Sequence, residues 1–439
     1  MPERRFSPSQ LKEDLEYLKQ QLFNVHASPF TEMSEKEYKE LFDSTRRDLT
    51  DSLSAFGFYR LITPFMAHLS DEHAQVAVNR KFLPQKLQKE KVFLPLVLSK
   101  DGKGYQAISI NAEDTALSED ERITHIDNVP IAELIKKCSL FLSGFPADRE
   151  RKATGQFGYL FTLSGCGESE RYKIRTSSGK TVDIAAASLS QWYAYLTKTY
   201  SLGGCKEKIS YSRYGDTGYI NACSFNASGK NEIDSLKKEI KKIYIRIRED
   251  GINRLVIDVS RNGGGVSQIG GELLSYFAGK PFDGYGWSWR RSEEYLLFMK
   301  AKGVSSSGYE SKLPGSLIYF EPQKVKPDLT DPAHFSGKVC VVVGRNTFSS
   351  AIIFATVIKD NKLAFIAGET PVDGHPNHFG EVYSTRLPNT NIGVRFGVKQ
   401  FTRPSGANEE NLLVPDLPID LIDANSPQTL IENLAKAGF

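Results

Sequence analysis

The sequence has no apolar run approaching the ~18 residues that a membrane-spanning helix needs. This excludes a helical membrane protein on sequence grounds. The opening MPERRFSPSQ lacks a hydrophobic signal core. The expectation is therefore either a cytoplasmic chain or an exported one written without its signal, with a periplasmic or secreted location favoured. Net charge is only +3, too little to point to nucleic acid or an anionic membrane as partner. The five cysteines (Cys138, Cys166, Cys205, Cys223 and Cys340) are odd in number, scattered and without a CxxC pattern. They indicate neither a disulfide framework nor a zinc site. Internal repeats and low-complexity tracts are also absent. What remains is 439 residues of ordinary globular composition, 40% apolar and 25% charged, enough for two or three domains.

The texture changes twice along the chain. Residues 1–88 read as helices. Ser34 to Glu37 fits a capping box, followed by Tyr38, Leu41, Phe42, Leu49 and Leu53 at helical spacing. A further helix is expected over Phe58 to His68. Residues 89–200 read as a small β-rich domain of short alternating stretches such as YQAISI and RITHIDNVPI. Residues 201–439 read as α/β. TGYINACSF is a strand, and Ile233, Leu236, Ile240, Ile243 and Ile247 line one face of a helix that Gly251 ends. RLVIDVS, KVCVVVG and LAFIAGE are short, continuously apolar strands of the kind covered on both faces.

Two motifs follow such strands, where sites gather in parallel sheets. One is Asn262-Gly263-Gly264-Gly265. The other is the serine pair of NTFSSAIIFATVIKD, Ser349 and Ser350. Serine is common where a helix begins, because its oxygen caps free N–H groups. A nucleophilic serine needs more: exposure at a sharp turn, a base, and N–H donors for the developing oxyanion. Glycines without side chains let their N–H groups approach a carbonyl oxygen.

VIDVSRNGGG, TFSSA, KDN and GET occur in that order. Together they resemble the carboxyl-terminal processing (tail-specific) serine peptidases and the related tricorn core proteases, over roughly residues 219–416. The resemblance implies a ClpP/crotonase-like α/β core and a PDZ-like module in the β-rich segment, where ITHIDNVPIAEL is similar to such a module's strand-turn-helix. It implies Ser349 as nucleophile, with oxyanion donors from Ser350 and from Gly263 or Gly264. Asp360 matches a supporting aspartate. The lysine that processing peptidases carry after GE is missing from GETPVDGHPNHFGE. The tricorn-like pattern instead draws a histidine from the helical region, here His73 of LSDEHAQV. His375 is the alternative base. The group orienting the base is expected to be Glu410, with Glu409 beside it, shortly before Pro415-Asp416. Glu72 stands where the pattern has serine.

The resulting expectation is a serine peptidase acting on extended polypeptides or oligopeptides, with no metal or organic cofactor. The alternative is a catalytically inactive ligand-binding protein on the same scaffold, or an esterase for small substrates.

Overall fold

The computed structural model describes residues 4–77, 82–111, 117, 121–200, 205–408, 411–422 and 426–439. The chain forms two compact units: residues 1–201, 289–318 and 379–399 in the first, and residues 202–288, 319–378 and 400–439 in the second. The helical and β-rich segments read from sequence thus share one unit. The α/β segment lends two stretches to it.

In the first unit, helices α1 (Pro8–Val25), α2 (Glu35–Asp48) and α3 (Ala55–Ala67) each start at a serine whose side chain accepts a backbone N–H. Ser7 and Ser34 both form capping boxes, with Gln10 and Glu37. Leu11, Leu15, Leu18 and Leu22 of α1 and Phe58, Ile62 and Phe65 of α3 fill a common core with Phe396 and Val398. The β-rich segment is an antiparallel sheet in which β1 (Leu96–Asp101), β2 (Gly104–Ser109), β3 (Arg122–Ile126), β4 (Arg171–Thr176) and β5 (Thr181–Ala185) lie in the order β5-β4-β3-β2-β1. Asp127 and Asn128, at φ 46° and 67°, fold β3 back onto Val129 and Pro130. Short polar side chains tolerate that left-handed turn. Helices α4 (Ile131–Ser139), α5 (Pro146–Gly155) and α6 (Phe157–Leu163) supply the rest of this sheet's core.

The second unit is a crossover α/β layer. Its strands are β6 (Ser210–Tyr214), β7 (Thr217–Asn221), β8 (Arg254–Asp258), β9 (Lys338–Val343), β10 (Phe365–Gly368) and β11 (Leu417–Pro418), in that spatial order. Only β6 runs antiparallel to its neighbour. Alternate residues face opposite cores. Leu255, Ile257, Val339, Val341 and Ile366 pack on one side, and Val256, Cys340, Val342 and Ala367 on the other. That two-sided burial is why these strands read as unbroken apolar runs, each large side chain contributing about 1.5–3 kcal/mol. Helices α7 (Lys230–Glu249), α8 (Ser267–Ser275) and α9 (Ser350–Asn361) cover the first face and α10 (Pro427–Lys436) the second. Gly251, at φ 65°, ends α7 with Ile252 N–H returning to Ile247 O.

The expectation of no disulfide is overturned for one pair. Cys205 and Cys223 are bonded, with Cα atoms 6.0 Å apart. They lie just outside the open end of the β6–β7 hairpin, where Ser210 opposes Asn221. Cys138, Cys166 and Cys340 remain thiols.

One partly buried ion pair braces the chain leaving α3. Arg149 donates to Glu32 Oε2 at 3.0 Å and to Gly144 O at 2.7 Å, while Ser70 Oγ donates to Glu32 Oε1 at 2.8 Å. Burial alone would raise the Glu32 pKa. Hydrogen bonds from His68, Arg149 and Ser70 outweigh it and hold the group at about 2, below its ordinary 4.5. A lowered carboxylate stabilises the fold fully above its unfolded pKa and loses that contribution as pH falls through the folded one. Unfolding measured across pH should therefore show Glu32→Gln flattening the acid limb between pH 4.5 and about 2. An unchanged limb would show that the pair carries no pH-dependent stability.

Candidate active site

The loops at the carboxyl ends of β7, β8, β9 and β10 all belong to the second unit, and hydrogen bonds lace them together. Asn262, fully buried, is the centre. Its Nδ2 donates to Ala222 O at 2.8 Å, its Oδ1 accepts Gly264 N–H at 2.8 Å, and its carbonyl accepts Phe348 N–H at 3.0 Å. One side chain thus ties the end of β7, the glycine run after β8 and the serine turn after β9. Thr347 adds a second tie. Its Oγ1 donates to Val259 O and accepts Gly344 N–H, both at 2.9 Å.

The three hydroxyls of Thr347, Ser349 and Ser350 divide their work. Thr347 holds the turn. Ser350 Oγ donates to Gly265 O at 2.7 Å and lies 3.2 Å from Ser267 Oγ. Ser349 occupies the N-cap position of α9, at φ 53° and ψ −123°, and its side chain makes no capping bond. A serine placed merely to cap would be extended and would accept an N–H of the first turn. A left-handed, non-glycine residue instead costs ~1–3 kcal/mol, a cost typical of functional turns. The surroundings are tightly packed. Gly264, at φ 97°, comes so close that a Cβ there would lie 2.7 Å from Ser349 Cβ and 2.8 Å from Phe348 O. Gly265, at φ 136°, packs against Phe225, where a Cβ would come within 2.3 Å of the backbone.

The N–H groups of the glycine run are not equivalent. That of Gly264 is already donated to Asn262. Those of Gly263 and Ser350 have no acceptor among the described residues. Gly263 is exposed, and Ser350 starts a helix whose N-terminus favours negative charge.

Asp360, at the far end of α9, is spent on structure. Arg403 binds both its carboxylate oxygens and Ser405 N–H donates to it at 3.1 Å. Lys359 of the same helix reaches Asp416 at 2.6 Å, and Asp416 also accepts Ile366 N–H of β10 at 3.0 Å, so that aspartate ties α9 to β10. His375 is buried. It follows Gly374, which packs so that a Cβ would lie 2.9 Å from Ile352 Cδ1 in the first turn of α9. Val372 N–H donates to Arg345 O at 3.0 Å, so this loop joins the same cluster. His378 turns its Nδ1 to the carbonyls of His375 and Pro376, at 3.1 and 3.2 Å. No cluster of three metal-ligating side chains occurs among the described residues.

His73 lies in the first unit, on the turn after α3. Its N–H donates to Asp71 Oδ1 at 2.8 Å, and its Nδ1 is 3.7 Å from the same oxygen. The carboxylate facing the ring is thus that of Asp71, and Glu72, beside His73 in sequence, is itself buried. Glu409 and Glu410 lie outside the described residues.

Residues 216–419 match the model of peptidase family S41. The chain carries an S41 peptidase domain. The match spans the glycine run, the serine turn and the loop holding His375, and it bears out the resemblance drawn from VIDVSRNGGG and TFSSA. By that match the chain is a serine-type peptidase. Among solved structures, mature CPAF is 16% identical over 98% of this chain and 96% of its own, with a TM-score of 0.56. CPAF complexed with lactacystin is 17% identical over 98% and 97%, with a TM-score of 0.57. A protein of Parabacteroides merdae assigned as a peptidase is 13% identical over 98% and 96%, with a TM-score of 0.50. At these identities the likeness shows the fold alone. No match is found among curated proteins.

Asn262 and Asp71 were both in view in the sequence without their roles being read. The signals were an Asn before a glycine run and an Asp two residues before a His, each a side chain that bonds backbone nearby. Asn262→Ala should leave Gly264 N–H and Ala222 O unpaired, costing about 1–3 kcal/mol per group. By loosening the Ser349 turn it should also lower kcat about 10²-fold with little change in KM. Denaturant unfolding and peptide turnover check both. Wild-type kcat in a folded Asn262→Ala protein would remove Asn262 from this account.

Proposed function

We propose that the chain hydrolyses peptide bonds of extended polypeptides, with Ser349 as nucleophile and His73 as general base. The observation carrying this reading is the Ser349 turn. Its backbone is strained, its hydroxyl is not used to cap α9, and it stands against a glycine loop with uncommitted N–H groups. In the proposed reaction Ser349 Oγ attacks the carbonyl carbon and its proton passes to His73 Nε2. The N–H groups of Ser350 and Gly263 hold the oxyanion. Collapse of the intermediate breaks the C–N bond, and His73 returns the proton to the leaving amine. Water, deprotonated by His73, then frees the acyl group from Ser349. Glu410 is proposed to assist the histidine from the segment before Asp416.

The β-rich segment favours a polypeptide substrate. The strand-turn-helix of Ile123 to Leu134 supports reading it as PDZ-like, and β1 and β5 are edge strands to which a peptide's backbone could add. Among the described residues no helix is long and apolar enough to cross a membrane. The Cys205–Cys223 bond favours an oxidising compartment, and a periplasmic or secreted location is proposed on that ground.

A fluorophosphonate probe should label the wild type and spare Ser349→Ala. His73→Ala should lower kcat on the order of 10⁴-fold. A folded wild type that resists the probe would favour the ligand-binding alternative. If His375→Ala is crippled while His73→Ala turns over normally, the base belongs to the GET loop instead.

A further inference from the structure

We propose that Asp71 is a positioning residue of the general base beside Glu410, favouring the Nδ1-protonated form of His73 by its charge, and that buried His26 steadies Asp71 from its other side. This rests on the reading of His73 as base.

The argument starts from a carboxylate that has no access to water. Asp71 is fully buried, and each oxygen accepts one backbone N–H: His73 N–H on Oδ1 at 2.8 Å and Gly397 N–H on Oδ2 at 2.6 Å. Two donors from separate segments leave the group no freedom to rotate. The same two oxygens face two imidazoles. His73 Nδ1 is 3.7 Å from Oδ1, and His26 Nε2 is 3.6 Å from Oδ2.

The His26 tautomer follows from its other nitrogen. Its Nδ1 accepts Ser28 N–H at 3.2 Å, so in the neutral ring the proton sits on Nε2, 3.6 Å from Asp71 Oδ2. His26 is itself buried, its ring 4.4 Å from that of Phe379 and 5.9 Å from that of Phe396. It stabilises the carboxylate without competing for substrate. Burial alone would raise the Asp71 pKa. The two histidines outweigh it and keep the group ionised well below the usual carboxylate range.

His73 differs from His26 in being the partly exposed member, with 10% of its side chain accessible. An ionised carboxylate 3.7 Å from Nδ1 favours the proton there by its charge, leaving Nε2 to act as the base, and stabilises the imidazolium formed as Ser349 is deprotonated. Charged groups on the segments bonded to this turn are Glu72, next in the chain, and the Arg149–Glu32–His68 group. Arg149 bonds Ala67 O and Gly144 O, and Gly144 N–H bonds Asp71 O at 3.2 Å. Ser143 Oγ donates to Glu72 O at 3.1 Å, so the loop after α4 clasps the turn from outside.

The test measures kcat/KM against pH for full-length wild type, Asp71→Asn, Asp71→Glu and His73→Ala. Asp71→Asn should lose about 10⁴-fold in kcat, as when an aspartate's loss leaves the wrong tautomer. Its ascending limb should move to lower pH, and Asp71→Glu should recover part of the rate. A merely structural aspartate would move neither the limb nor the conservative variant in this way. Wild-type turnover in folded Asp71→Asn, with His73→Ala dead, overturns this assignment and spares the base. An active His73→Ala overturns the base itself. Should Asp71→Asn not fold, ¹⁵N shifts of His73 in Ser349→Ala protein decide: a proton on Nδ1 supports the assignment, and a proton on Nε2 refutes it.

Discussion

Asn262 is the constraint on which the serine turn depends. A parallel sheet delivers its loops to one edge, but it does not fix them against each other. Asn262 spends its amide N–H, its amide oxygen and its backbone carbonyl on three different loops. With its side chain buried, water cannot replace those bonds cheaply. The glycine run is then pressed so close to Phe348 and Ser349 that a Cβ does not fit at Gly264, and Ser349 holds a positive φ beside it. The strain at Ser349 thus sits within close loop packing. It is offset by buried hydrogen bonds nearby.

Hydrogen bonds also account for several polar side chains around the turn. Thr347, Ser349 and Ser350 are three hydroxyls within four positions, and two of them are committed to backbone carbonyls. Asp360, His378 and Lys359 are likewise engaged by Arg403, by carbonyls and by Asp416. In the other unit, Asp71 accepts two N–H groups and faces two imidazoles at 3.6 and 3.7 Å.

Much of the second unit was legible in the sequence, because its determinants are local. RLVIDVS and KVCVVVG read as buried strands since both faces of the sheet are covered, and Gly251 marks the end of α7 because the chain needs a positive φ there. The capping box at Ser34 was legible for the same reason. What was not legible depends on pairings between distant segments. Nothing in the pattern says that residues 289–318 and 379–399 join the first core, or that a hairpin brings Cys205 to Cys223. His26 gave no signal at all, since its meaning comes only from the carboxylate that folding sets beside it.

The most direct test of the central claim is a crystal structure of the chain after reaction with a fluorophosphonate. The account predicts phosphorus bonded to Ser349 Oγ and the phosphonyl oxygen about 3 Å from the backbone nitrogens of Gly263 and Ser350. An adduct on another residue, or a phosphonyl oxygen turned away from both nitrogens, would contradict it.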